Sequence, residues 1–146
     1  MSLTDWVANG WIEPHQTSRR EVADQLALAE RDIRDSQVAA LSPEWQLSIA
    51  YNAALRCATA ALYAAGYRAS REMHHQRTIH SLAHTIRQDP ETIKTFDSFR
   101  RLRNVSDYDQ AGMVSKQQAN EMLQLAIDLR SRVTKWLREQ HPELMN

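Results

Sequence analysis

The stretch that decides the fold is Ser42-Pro43-Glu44-Trp45-Gln46-Leu47-Ser48-Ile49-Ala50-Tyr51-Asn52-Ala53-Ala54-Leu55-Arg56-Cys57-Ala58-Thr59-Ala60-Ala61-Leu62-Tyr63-Ala64-Ala65-Gly66. Ser42 has the chemistry of an N-cap, because its hydroxyl accepts from a free first-turn amide. Pro43 fits the first helical position, where its missing N–H costs nothing. Gly66 marks the other end as a C-terminal stop. Between these signals the sequence is apolar on nearly every side, and half of the sixteen residues from Ala50 to Ala65 are alanine. A helix apolar all round belongs in the middle of a bundle, and small side chains let its neighbours come close. One polar stripe remains, made of Ser48, Asn52, Arg56 and Thr59.

Working outward, the same punctuation predicts helices on both sides. A short helix is expected over Thr4–Asn9, stopping at Gly10. Ser18 and Glu21 have capping-box spacing, and Val22, Leu26, Ala29 and Ile33 follow at helical intervals to about Val38. A helix is expected over Met73–Arg87, and another from Asp89-Pro90-Glu91 to about Ser106. Ser115 and Gln118 form a second capping box. It opens a long last helix with Ala119, Met122, Leu123, Ala126, Leu129, Val133, Trp136 and Leu137 on one face, ended by His141-Pro142. Segments 66–71 and 107–114 are expected as loops. The expected fold class is therefore all-α, an up-and-down bundle of about five helices over residues 18–140 with a short helix at 4–9, in one domain spanning 1–146.

Composition narrows the function classes. The 18 basic and 18 acidic residues cancel, so no whole-molecule field draws nucleic acid or a membrane surface. Cys57 is the one cysteine, which rules out an intrachain disulfide and a zinc thiolate cluster. It sits in the alanine run and reads as a small core residue. No basic-then-apolar leader opens the sequence, and the apolar run 49–65 is broken by Asn52, Arg56 and Thr59. A cytoplasmic protein without a membrane partner is expected. His80 and His84 stand four apart on one predicted helix, a two-histidine metal spacing, but no catalytic Glu intervenes and no Cys or carboxylate pair stands near. No metal and no cofactor are expected. Trp6, Trp11, Trp45 and Trp136 read as core or interface anchors.

One constellation remains. Ile93, Phe96, Arg100, Arg103, Asn104 and Asp107 fall within roughly a third of one helix circumference. The stripe begins apolar and turns into guanidinium, amide and carboxylate. One reading pairs Arg103 with Asp107 and points Arg100 to solvent. Arg before Asp is the poorer order against the helix dipole. The other reading ends the stripe in a cleft or a dimer interface, where guanidinium groups grip phosphate bidentately. Arg101, Arg130, Arg132, Lys135 and Arg138 add local basic character.

The run Arg103-Asn104-Val105-Ser106-Asp107-Tyr108-Asp109 resembles the signature region of HEPN domains. These are small helical bundles whose late helix carries Arg, often Asn, and then a His four to six residues on. The segment from Ala50-Tyr51-Asn52 through Gly66-Tyr67-Arg68 to His74-His75 is similar to the central part of bacterial HEPN proteins, and the resemblance runs from about Ser18 to Trp136. It implies a homodimer that joins two motifs and a metal-independent ribonuclease ancestry. It also implies a toxin–antitoxin or defence setting, beside a nucleotidyltransferase-type partner protein. The sequence departs from the pattern where the His belongs: Asp107, Tyr108 and Asp109 occupy those positions. A phenol of pKa about 10 is a poor base at neutral pH, and arginines lower the pKa of nearby aspartates. The expectation is a non-catalytic binding module for RNA or a nucleotide, through Arg100, Arg103, Asn104 and Asn52. An active ribonuclease using Arg103 with Asp107 or Tyr108 is the alternative, with His74, His75, His80 or His84 able to enter only if folding brings them there. A bundle serving protein interaction alone is the third reading.

Overall fold

The computed structural model describes residues 1–108 and 112–145, residues 105–108 as backbone only. It is an all-α bundle: α1 Leu3–Ala8, α2 Arg19–Asp35, α3 Pro43–Ala64, α4 His74–Ser81, α5 Pro90–Tyr108 and α6 Lys116–Gln140, followed by a 3-10 turn at Pro142–Leu144. The start signals act as the sequence suggests. Ser18 and Ser115 each accept from the amide three residues on while Glu21 and Gln118 reach back, which closes both capping boxes. Ser42 caps α3 and Pro43 is its first residue. Asp89 accepts from the Thr92 amide at 2.9 Å, and hydrogen bonding from Thr92 and Gln88 holds its carboxyl down at about 2.

Helix α3 is the shaft of the bundle. More than half of its 22 residues are buried, and its main neighbours are α6 and α2. The alanines Ala50, Ala53, Ala54, Ala58, Ala60 and Ala61 are fully enclosed, as is Cys57, whose thiol burial pushes up to about 12. The polar stripe of α3 meets α2 at one point: Arg56 donates through Nε to Oδ2 of buried Asp32, 3.0 Å away. Arg31 also donates to Asp32, at Oδ1, so the buried carboxylate is shared by two guanidinium groups. Thr59 turns its hydroxyl onto the Leu55 carbonyl of its own helix.

Residues 107 and 108, expected at the start of a loop, continue α5, and two larger features also depart from the sequence expectation. Residues 67–69, expected in a loop, form strand β2 (Tyr67–Ala69), antiparallel to β1 (Ile12–Pro14). Three-residue strands carry no readable periodicity, and their pairing depends on α1 and α3 bringing distant chain together. Pro14 is tolerated because both strands of a two-stranded sheet are edges. This ribbon and α1 enclose a second, smaller core of Trp6, Ile12, Leu62 and Ala69. The other departure is α4, which ends at Ser81 rather than Arg87. Its continuation tightens into three-residue bonds, Leu82 to Ile79 and Ala83 to His80, and the chain turns through a left-handed Arg87 at φ 58°. A non-glycine residue there is uncommon and leaves no sequence signal.

Enclosure of α3 has a direct consequence. Ala58→Leu or Ala61→Leu is expected to overpack the shaft and cost about 1–3 kcal/mol. Thermal unfolding checks this; an unchanged melting temperature in both variants would mean those faces are not enclosed.

Candidate anion-binding cleft

Helices α4 and α5 lie side by side against α3, and their polar residues converge at one end. On α5, Ile93 and Phe96 are buried as the apolar half of the stripe requires. One turn after Phe96 the stripe turns polar at Arg100, beside the carboxylate of Asp97. This carboxylate is nearly buried and accepts from Arg100 Nε at 2.8 Å. Arg101 and His80 stand 3.9 and 3.8 Å from its oxygens. Arg100 is thereby held half-buried against the bundle instead of pointing to solvent. Arg103 lies with its guanidinium carbon 5.1 Å from the centre of the Tyr51 ring, a cation–π distance.

Across from this face stands the start of α4. His74 and His75, with Met73 and Gln76, line a cleft of about 280 Å³ whose other wall is Arg100 and Asn104. Met73 precedes the helix in the left-handed region at φ 53°, and no side chain caps the helix start. First-turn amides at such a start are suited to anions. The His75 Nδ1 lies 3.2 Å from the hydroxyl of Tyr51, which comes from α3. Burial pushes the Tyr51 phenol up, against the opposing pull of Arg103 and Arg100, so it stays protonated. Burial pushes His75 down, and Arg103, His74 and Arg100 push it further the same way. His75 is therefore a neutral imidazole at pH 7. In the tautomer whose Nδ1 accepts from the phenol, Nε2 carries the ring's N–H and donates; in the other, Nδ1–H donates to the phenol oxygen and Nε2 accepts.

The sequence-derived site residues separate under this geometry. Arg100 and Asn104 line the cleft, and Arg103 is close enough to act electrostatically on His75. Asn52 is not among the residues lining it. The side chains of Asp107 and Tyr108, and the whole of Asp109, lie outside the described residues. His80 turns to Asp97, whereas His84 packs edge-on against Trp6 with ring centres 5.2 Å apart, so the two diverge. Among the described residues no group of three or more His, Cys, Asp or Glu is placed to hold a metal ion. What sequence reasoning left open was the entry of His74 and His75. The turn from β2 into α4 sets that register, and only the adjacent His pair hinted at it. Among the described residues no helix is long and apolar enough to cross a membrane.

Comparison with known proteins gives no assignment: no family model matches the chain, and neither a curated protein nor a solved structure does.

The depressed His75 has a stability signature. The unfolded imidazole binds a proton near pH 6.5 and the folded one only at lower pH, so the unfolded state holds more protons in that window. Stability therefore falls as pH drops through about 6.5 toward the folded value. His75→Gln is expected to make the loss of melting temperature between about pH 7.5 and 5.5 smaller. His84, also pushed down by burial, keeps part of the slope. Equal slopes in parent and variant would show that His75 is not desolvated.

Proposed function

We propose that this protein is a HEPN-like helical binding module that holds a phosphate-bearing ligand, RNA or a nucleotide, in the cleft between α4 and α5, without cleaving it. The observation that carries the reading is the convergence of His74 and His75 with Arg100 and Asn104 on one small cleft. Guanidinium and imidazole N–H groups are phosphate donors. Arg100 is preorganised for the task by Asp97. The non-cleaving reading takes the Tyr51–His75 pair in the tautomer whose Nδ1 accepts from the phenol. An imidazole whose Nδ1 is occupied by a phenol and whose Nε2 carries a proton donates a hydrogen bond and abstracts none.

A second reading, metal-independent ribonuclease action, is favoured by one observation: His75 is neutral, as a base must be, and stands beside Arg100. It requires the opposite tautomer, with Nδ1–H donating to Tyr51 oxygen and Nε2 free.

The module is proposed to be a cytoplasmic homodimer. Exposed Trp45, Val38 and Met113 support a self-association surface near the start of α3. The Glu44 carboxylate accepts from the Gly112 amide there, and Gln46 donates to the Val38 carbonyl. The toxin–antitoxin setting and a nucleotidyltransferase-type partner rest on the resemblance in sequence alone.

Two measurements test these statements. In the first, labelled RNA is incubated with pure protein in EDTA while binding is followed by anisotropy. Binding without cleavage is expected, and Asn104→Asp, an isosteric change at an exposed position, is expected to weaken binding by about ten-fold through charge repulsion. Cleavage that vanishes in His75→Gln would replace this reading with the second. In the other, sedimentation at about tens of micromolar is expected to give a dimer that Trp45→Ser dissociates. A parent monomer would remove the dimer from the proposal.

A further inference from the structure

The hydrogen-bond donors of the cleft exceed what the two free oxygens of one phosphodiester call for. A diester carries one negative charge, whereas a terminal phosphate carries about 1.5 to 2 at neutral pH, because its second pKa is about 6. Facing the cleft are the Arg100 guanidinium, the His74 and His75 imidazoles and the Asn104 amide. The carboxylate at this end, Asp97, is already answered by Arg100 at 2.8 Å, with Arg101 and His80 within 4 Å. Its negative charge is therefore shared by Arg100 and Arg101 and opposes an incoming anion weakly.

The Asp97 contact engages Arg100 through Nε. Bidentate phosphate recognition uses the parallel N–H groups of the guanidinium fork, and a terminal phosphate offers three oxygens to such donors where a diester offers two. Size points the same way. At about 280 Å³ the cleft lies just below the roughly 300–1,000 Å³ of sites that enclose whole small molecules. It has room for a phosphate and part of its sugar. A strand that tracks through a groove needs several successive contacts along its backbone. Here the donors from α4 and α5 converge on one point.

Resting on the reading of this cleft as a phosphate site, we propose that its ligand is a terminal phosphate monoester, the phosphorylated end of an RNA or a free nucleotide, and not an internal phosphodiester. The base contributes little to recognition, and the charge of the ester end dominates.

Four probes test this against one protein: an RNA oligonucleotide with a 5′-phosphate, the same sequence with a 3′-phosphate, the same sequence with hydroxyls at both ends, and adenosine 5′-monophosphate. Anisotropy with competition is expected to show at least one phosphorylated probe binding about ten-fold or more tighter than the hydroxyl-ended RNA. The preference is expected to disappear in Asn104→Asp and to fall in His74→Gln, both exposed changes that leave the core untouched. Competition by the mononucleotide identifies a nucleotide ligand. Binding of a phosphorylated oligonucleotide without such competition identifies an RNA end. Equal affinity for all three oligonucleotides, lost in Asn104→Asp, would overturn the monoester assignment and keep the phosphate site. No binding by any probe would overturn both. A preference for phosphorylated ends that survives Asn104→Asp would place recognition elsewhere and overturn the assignment to this cleft.

Discussion

Everything in this fold answers to the enclosure of α3. A 22-residue helix with alanine on most of its faces has almost no polar side on which to meet water. Alanine contributes little buried area per residue, so the stabilisation comes from neighbours drawn close enough to bury their own larger side chains against it. Those side chains are in place: Val22, Leu26 and Ala29 from α2, and Met122, Ala126, Leu129 and Val133 from α6. Ile79, Phe96 and Phe99 close the remaining side from α4 and α5. The single charged residue in the middle of α3, Arg56, is accommodated because α2 offers Asp32 at the right height.

The cleft is a by-product of that enclosure. Helix α4 is only eight residues long and α5 is nineteen, so the shorter helix begins part-way along the longer one. The start of α4 and the polar half of the α5 stripe line the same cleft. The Asp97 carboxylate holds Arg100 there, and the buried Tyr51 reaches across from α3 to orient His75. Burial and neighbouring arginines keep this imidazole neutral.

Much of this was legible before the structure. Capping residues and helical spacing locate every helix start within a residue or two, because the chemistry of Ser18, Ser42 and Ser115 is local. The stripe ending in Arg100, Arg103 and Asn104 also shows in the sequence, since it is a periodicity within one helix. What did not show depends on chain brought together from afar. The β1–β2 ribbon pairs residues 55 apart at Glu13 and Arg68, and no local rule sets that register. The early end of α4 turns on a left-handed Arg87 with no glycine to announce it. His75 enters the site through a phenol 24 residues away, and Asn52, on the same helix as that phenol, does not line it. The relation to HEPN domains remains a resemblance of short motifs and helix order.

The central claim is that the alanine-rich faces of α3 are enclosed and that the bundle is built around them. Native-state amide hydrogen exchange tests it residue by residue. The amides of Ala53, Ala54, Cys57, Ala58 and Ala61 are expected to be the slowest in the protein, exchanging together and only through global unfolding. Exchange of those five by local opening, faster than the amides in the middle of α6, would contradict the account.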